Sequence, residues 1–385
     1  MELGIVGKPN SGKSSFFEAV TMIEVAIANY PFTTIKPNIG KASVTAPCPC
    51  KELGVRCAPR NSACINGVRH IPVDILDVAG LVPGAHEGKG LGNQFLDDLR
   101  RAKVLIQIVD TSGRTDNEGN QCEGHDPCEE VKFLEDELTW WIEGILEKHW
   151  REIDRKAKQA SLTVAIAEQL TGLGITEKDV EEVFKTGMPS QGNLKKFAAE
   201  IRKRSKPIII AANKMDLPES EENLLRLKKE FPKKTVLPCS AAIEIALRKA
   251  AKKGLIDYVP GEKDFKDKDG LTPEQKNGLE IARKVMRKLG GTGTQDVLNR
   301  AIFDFLGMIV VYPVEDETHF SDSKGNILPD ARLVPMGTTA KQLAYLIHTE
   351  IGDKFIYAFD AKSKRRIAAD QELKNGDIIK IATAA

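Results

Sequence analysis

An α/β fold carrying an inserted helical domain and a smaller C-terminal β-grasp domain is what this sequence predicts, on three observations. Short apolar runs at residues 3–6, 71–76, 104–109, 207–212 and 236–238 each end in polar or small residues, the pattern of parallel strands buried on both faces. Between the third run and the fourth, residues 129–204 instead repeat apolar side chains at helical spacing. Past residue 306 the pattern changes to short strands around one helix.

The first run, with Leu3, Ile5 and Val6, leads into Gly7-Lys8-Pro9-Asn10-Ser11-Gly12-Lys13-Ser14, which reads G-x-x-x-x-G-K-S, and a helix from Ser15 to Val20 follows. The two glycines let the backbone wrap a polyphosphate. Exposed N–H groups and the helix N-terminus point at it, Lys13 adds a positive charge, and Ser14 is suited to hold Mg²⁺. Residues 7–15 are therefore expected to cradle a nucleoside triphosphate. The second run ends in Asp77-Val78-Ala79-Gly80, where Asp77 would hold Mg²⁺ through water and the Gly80 N–H would sense a γ-phosphate. The run at 207–212 delivers Asn213-Lys214-Met215-Asp216 to the same sheet edge. A carboxylate there accepts both N1–H and the exocyclic amine of guanine, whereas adenine offers neither donor at those positions, so the expected ligand is GTP rather than ATP. The last run leads to Ser240-Ala241-Ala242, with the Ala241 N–H expected at guanine O6.

The central strand is expected at 104–110, after a helix at 93–102. Val131, Leu134, Leu138, Trp141 or Ile142, and Ile145 then fall at helical spacing, and further helices are expected at 162–170, 177–184 and 194–204. An aromatic pair such as Trp140 and Trp141 is more often core than partner-binding surface. A Lys-rich insertion at about 243–290 precedes the capped start of a last helix running to Phe305. The C-terminal part is read as a strand at 309–314, a turn at 328–330, a helix from Ala340 to Thr349 capped by Thr338 and Thr339, and strands to Ile381. His348 is expected on that helix's packing face.

With these motifs in place, the chain resembles translation-factor-class GTPases of the Obg and YchF group. That group carries a first-switch run similar to Asn29-Tyr30-Pro31-Phe32-Thr33-Thr34-Ile35-Lys36-Pro37-Asn38-Ile39-Gly40. The resemblance implies that Thr34 reaches Mg²⁺ when the γ-phosphate is present and that Phe32, Thr33 and Thr34 lie in the mobile nucleotide-contacting stretch. It makes Lys13, Thr34, Gly80 and Asn10 the residues expected to act in hydrolysis. Position 81 is Leu where Ras-like enzymes place a water-orienting glutamine, so slow unaided hydrolysis is expected. Related GTPases use K⁺ held partly by an asparagine matching Asn10; the alternative for Asn10 is a brace within the loop. The stretch around Met336-Gly337-Thr338-Thr339, with Lys374-Asn375-Gly376-Asp377, is similar to TGS domains, which accompany RNA-handling enzymes. YchF proteins of bacteria and eukaryotes favour ATP through a changed base motif; the intact Asn213-Lys214-Met215-Asp216 supports GTP here. The expected domains are 1–125 with 206–305 for the GTPase, 126–205 for the helical insertion, and 306–385 for the TGS-like part.

Of the residues, 41% are hydrophobic and 29% charged, as in a soluble globular protein. A net charge of +1 gives no global attraction to nucleic acid, so an RNA contact would come from local patches such as Lys362, Lys364, Arg365 and Arg366, which read equally as a solvated hairpin. A strand from residue 3 leaves no room for a leader, and no apolar stretch reaches membrane-spanning length, so a cytoplasmic protein is expected. Cys48, Cys50, Cys57 and Cys64 follow a C-x-C-x₆-C-x₆-C pattern that leaves Zn²⁺, free thiols and disulfides open. Cys122 and Cys128 are placed to close a short loop. The function expected is a GTP-hydrolysing, Mg²⁺-dependent switch acting on the ribosome or structured RNA, with an unidentified protein partner also open. The alternatives are a nucleotide-stabilised binding module with little turnover, or an ATPase of the YchF type.

Overall fold

The computed structural model describes residues 2–21, 39–78 and 100–384, and these form two units. The first holds residues 2–21, 39–40, 74–78 and 100–297; the second holds 41–73 and 298–384.

In the first unit, β1 (Glu2–Val6) is followed by α1 (Lys13–Thr21). The elements β2 (Ile39–Pro47), α2 (Pro49–Leu53) and β3 (Ala63–Ile65) come next in the chain and belong almost wholly to the second unit. The strand β4 (Val68–Asp77) gives its last four residues to the first unit, where they pair in parallel with β1 in the register Ile5↔Asp77. Three further parallel strands extend the sheet on the other side of β1: β5 (Ala102–Asp110), β6 (Ile208–Asn213) and β7 (Val236–Pro238). Leu3, Ile5, Ile75, Leu105, Ile106, Ile209 and Ile210 are fully buried, as strands covered on both faces require.

Helices fill the span between β5 and β6: α3 (Pro127–Ala157), α4 (Leu162–Leu170), α5 (Glu177–Phe184) and α6 (Leu194–Ser205). Asp126 starts α3 by accepting from the Cys128 N–H, with Pro127 at the first helical position. The first half of α3 packs Leu134 and Leu138 against Val6, Leu76 and Leu105 of the sheet. Its second half packs Ile142, Leu146 and Ile153 with Ile166, Leu170, Val180, Phe197 and Ile201 of the other helices. The helical insertion expected from residue 126 therefore shares its first helix with the sheet layer, because one apolar stripe runs the length of α3. Trp141 joins the sheet-side cluster, and Trp140 carries Lys195 5.5 Å above its ring.

After β6 come α7 (Ser220–Glu230), β7, α8 (Ala241–Lys252), the hairpin of β8 (Ile256–Asp257) and β9 (Lys266–Asp267), α9 (Pro273–Leu289) and α10 (Thr294–Arg300). The Lys-rich insertion is thus two helices and a hairpin closed over Leu247, Phe265, Leu279 and Met286. A π-helical stretch, Ala301–Phe305, continues α10 to the expected end at Phe305.

The second unit contains a five-stranded sheet in the order β11 (Arg332–Pro335), β10 (Met308–Val314), β14 (Ile378–Thr383), β12 (Phe355–Asp360), β13 (Arg365–Ile367). The helices α11 (Ala340–Ile347) and α12 (Thr349–Asp353) complete it. Thr339 and Gln342 form a reciprocal cap on α11, so its start lies where the sequence puts it. Residues 41–73, expected in the GTPase domain, group instead with this C-terminal sheet. Ala58 and Arg60 donate backbone hydrogen bonds to the carbonyls of Ile327 and Pro329, and Asn61 exchanges two with Ala331. His348 departs from its expected place on the packing face. It is exposed, because an extended backbone there ends α11, and its Nδ1 caps α12 by accepting from the Glu350 N–H.

Candidate functional site

Because β1, the end of β4, β5, β6 and β7 run parallel in one sheet, their C-terminal ends meet at one edge. The loop of residues 7–12 leaves β1 there and enters α1 at Lys13. Its glycines are required by space: a Cβ on Gly7 would sit 2.7 Å from the Ile108 carbonyl oxygen, and one on Gly12, at φ +92°, would sit 2.3 Å from Asn213 Nδ2. Ser14 and Ser15 are exposed on the first turn of α1. The Lys13 ammonium lies 2.5 Å from Asp77 Oδ1, so the lysine that follows the loop and the carboxylate at the end of β4 already meet.

At the neighbouring strand ends, Asp110 and Asn213 are register partners. Asn213 is buried and braces two loops at once, donating to the Ser11 carbonyl at 3.2 Å and accepting the Ala241 N–H at 3.1 Å. The Ala241 amide, expected at guanine O6, is therefore held by Asn213. Ser240 donates to Asp216 Oδ1 at 2.6 Å while its hydroxyl also caps α8, which fixes the carboxylate of Asp216 and still leaves an acceptor site on each of its oxygens. Ala242 is exposed beside them. Lys214, at φ +65°, reaches back to the Asn10 carbonyl at 2.9 Å and to Asp110 Oδ2 at 2.7 Å. A cavity of about 880 Å³ opens here, lined by Asn10, Lys214, Ser112, Arg114, Thr115 and Glu219.

Two residues that the sequence reading passed over hold this arrangement together. Burial opposes the charge on Asp110, but hydrogen bonds from Lys214, Ser112 and Thr115, with the charge of Lys214, outweigh it and keep the carboxyl below its ordinary range. Glu130, in the first turn of α3, accepts from the Asp110 N–H and lies 2.8 Å from the Lys8 ammonium. The side chain of Lys8 points into the interior, where it also donates to the Thr115 carbonyl, so a contact of Lys8 with nucleotide would fall to its backbone. Asn10 has φ +60° and gives its amide N–H to the Gly119 carbonyl at 2.9 Å, a bracing contact that still leaves Oδ1 unassigned. The register of β5 with β6 was the one available signal for Asp110; nothing local marks Glu130.

Phe32, Thr33, Thr34, Gly80 and Leu81 lie outside the described residues, as does most of the helix expected at 93–102. In the second unit, the four cysteines at 48, 50, 57 and 64 gather their Sγ atoms within 4.8 Å of one another. None of the seven cysteines is joined in a disulfide, so Cys122 and Cys128 do not close a loop. The basic hairpin forms between β12 and β13; Lys362 is paired with Glu52 and Arg366 stacks on Tyr357, which leaves Lys364 and Arg365 as its outward charges.

Comparison with known proteins agrees with this geometry. Residues 2–135 match the family described as 50S ribosome-binding GTPase. Residues 211–316 match the G4 motif-containing domain of YGR210-like Obg-like GTPases, and residues 324–383 match the TGS domain. An uncharacterised GTP-binding protein of Methanocaldococcus jannaschii is 53% identical across 100% of this chain and 99% of its own length. One from Schizosaccharomyces pombe is 38% identical across 90% and 89%. The crystal structure of a GTP-binding protein from Pyrococcus horikoshii superposes with a TM-score of 0.81 at 41% identity over the whole of both chains. A YchF GTPase of Schizosaccharomyces pombe shares the fold, with a TM-score of 0.60 at 21% identity over 99% of this chain and 97% of that one. Among the described residues, no helix is long and apolar enough to cross a membrane.

Proposed function

The chain belongs to the Obg-like family of GTP-binding proteins, and we propose that it hydrolyses GTP to GDP with Mg²⁺ as a slow nucleotide switch acting on ribosomes. The observation that carries this reading is the convergence, at one sheet edge, of the Lys13–Asp77 pair with the Ser240-braced Asp216. In this reading residues 7–15 wrap the phosphates, Ser14, Thr34 and Asp77 hold Mg²⁺, and Lys13, Thr34, Gly80 and Asn10 act on the γ-phosphate. Asp216 reads the guanine edge. Asn213 and Lys214 shape the base pocket, and K⁺ is the cation that Asn10 would help hold. The match to ribosome-binding GTPases and the TGS match support the ribosome as partner. The absence of a spanning helix among the described residues is compatible with a cytoplasmic site of action.

Base selection is tested at Asp216. Asp216→Asn replaces an acceptor pair by an amide that presents one donor, which suits the carbonyl at C2 of xanthine and not the amine of guanine. GTP affinity should fall about 100-fold, the worth of two charge-assisted hydrogen bonds, while xanthosine triphosphate gains and ATP stays poor. Unchanged GTP binding in competition titrations would remove Asp216 from the base pocket. Single-turnover hydrolysis in K⁺ and in Na⁺, on the unmodified chain, tests the cation; equal rates would reject it.

The switch itself is tested by co-sedimentation with ribosomes of the same source, with a non-hydrolysable GTP analogue, GDP, or no nucleotide. A ligand shifts a two-state equilibrium only by its differential affinity, so a switch must bind ribosomes differently in the GTP and GDP forms. Tighter binding with the GTP analogue is expected. Equal or absent binding in all three would reject the ribosomal role.

A further inference from the structure

The second unit contains a buried cation for which no acid among the described residues supplies the counter-charge. Arg69, on β4, is fully buried. Its guanidinium lies 5.3 Å from the centre of the Tyr312 ring and donates to Ser62 Oγ at 3.1 Å and to the Leu328 carbonyl at 2.9 Å, and its Nε has no partner. Among the described residues no carboxylate pairs with it. A charge held out of water without a partner is costly, and natural interiors supply one. What stands beside Arg69 is the thiol of Cys48, one of the four converging cysteines.

The local chain is built to bring those four sulfurs together. Cys48 ends the run out of β2 in an extended conformation and is the N-cap of α2, which Pro49 opens and Gly54 closes at φ +65°. Cys50 therefore sits in the first turn of α2, close behind Cys48. Cys64 lies on β3, which returns along β4 through Asn66 and Gly67, both at positive φ as a two-residue hairpin turn requires. The Cys48 N–H donates to the Gly67 carbonyl at 2.9 Å, which ties the helix cap to the hairpin turn. Cys57 comes from the connecting loop. The Cys48–Cys57 and Cys50–Cys64 sulfurs are 4.0 and 3.7 Å apart, and all four lie within 4.8 Å of one another. With Zn–S bonds of about 2.3 Å, a tetrahedron has S–S edges of about 3.8 Å. The four-way gathering is that of one mononuclear site, not of two separate pairs.

We propose that Cys48, Cys50, Cys57 and Cys64 bind one structural Zn²⁺ as thiolates, and that Arg69 is the counter-ion of the resulting dianionic centre. Four thiolates and one Zn²⁺ leave a net charge of −2, which answers the charge of Arg69. Two disulfides would be neutral and would leave that charge unanswered. Closing of the site releases the thiol protons to solvent, and no redox step is involved. Four protein sulfurs fill the coordination sphere, so the site is structural. Its position explains what it stabilises. Ala58, Arg60 and Asn61, between the third and fourth cysteines, carry the hydrogen bonds to residues 327–331, and Arg60 lies 3.1 Å from Asp322. The metal pins the loop on which that edge of the C-terminal unit rests.

The test is metal content of the full-length, tag-free protein, produced with zinc and iron both supplied, followed by replacement with Co²⁺. One zinc per chain is expected, with four sulfur neighbours by X-ray absorption and intense thiolate-to-cobalt charge-transfer bands in the cobalt form. Cys64→Ser should lose the stoichiometric metal. Arg69→Met should keep the ligands but weaken zinc retention about 10- to 100-fold in competition with a chelator, as loss of an outer-shell partner does. A folded protein without stoichiometric metal, one with iron in place of zinc, or one whose mass shows two disulfides would each overturn the assignment. Retention of the same cobalt spectrum in Cys64→Ser would overturn it as well.

Discussion

Lys13→Met should lower single-turnover GTP hydrolysis about 10²–10³-fold and leave the fold intact. The methionine keeps the volume of the lysine stem but removes the charge at the head of α1. That charge lies 2.5 Å from Asp77 Oδ1, at the point where β1 and β4 end together. A polyphosphate entering residues 7–14 brings negative charge to the same place, and as the bond to the γ-phosphorus loosens more charge collects on the oxygens a lysine faces. The loss should therefore be larger in the rate of hydrolysis than in GDP affinity, since loop amides and the helix terminus still hold the diphosphate. Stability should change little: the Asp77 side chain is 23% exposed and is hydrated when its partner is gone. Circular dichroism and thermal melting check the fold; rapid-mix hydrolysis checks the rate. A variant that hydrolyses GTP at the original rate would mean that Lys13 does not act on the phosphates.

Much of this arrangement is legible in the sequence, and the reasons are local. Gly7 and Gly12 occupy positions where a Cβ would collide with Ile108 or Asn213, so the residues themselves announce the loop. The strands at 104–110 and 208–213 are apolar but for Gln107 and their last residues, Asp110 and Asn213, because both faces are covered, and Thr339 with Gln342 starts a helix through a contact three residues long. What could not be read depends on pairs far apart in the chain. Lys8 stands inside the phosphate-loop motif, and only the folded chain reveals that Glu130 draws it inward. Asp110 is an ordinary strand-ending residue until Lys214 and Thr115 close on it. The contacts of residues 41–73 were hidden for the same reason: covalent position places them after the first switch, while hydrogen bonds from Ala58, Arg60 and Asn61 tie them to residues beyond 320. The cysteine spacing lacks paired C-x-x-C knuckles, and the convergence is produced by the Asn66-Gly67 hairpin bringing Cys64 back to the cap of α2.

The second large effect is expected at Lys8, and its dependence on pH separates it from an ordinary packing loss. Burial pushes the Glu130 carboxyl up, to about 8, with the charge and hydrogen bond of Lys8 pulling the other way. A carboxyl whose folded pKa is raised binds its proton more tightly in the folded state. Its contribution to stability is therefore complete below the ordinary carboxylate range and is lost as pH rises through the raised value. Lys8→Met removes the opposing pull and moves that value higher. At pH 5, where Glu130 is protonated, the variant should lose about 1–3 kcal/mol, the cost of leaving the Thr115 carbonyl and the carboxyl without the ammonium. Above pH 8 the unmodified chain ionises Glu130 beside the Lys8 ammonium while the variant still holds the proton, so the deficit should grow by about 1.4 kcal/mol per pH unit until the variant's higher value is reached. Adding Glu130→Gln removes the titrating group, so the double variant should recover the pH-dependent part and keep the rest. Urea unfolding of the four chains at both pH values gives the coupling directly. A deficit equal at pH 5 and pH 8.5 would mean that Glu130 carries no raised proton affinity in the fold. The same series should register in nucleotide binding, because Glu130 holds the Asp110 amide and the Asp110 carboxylate holds Lys214 against the Asn10 carbonyl. Weaker GTP binding in Lys8→Met, although its side chain faces away from the phosphate loop's open side, is the expected sign that α3 and the base pocket are one mechanical piece.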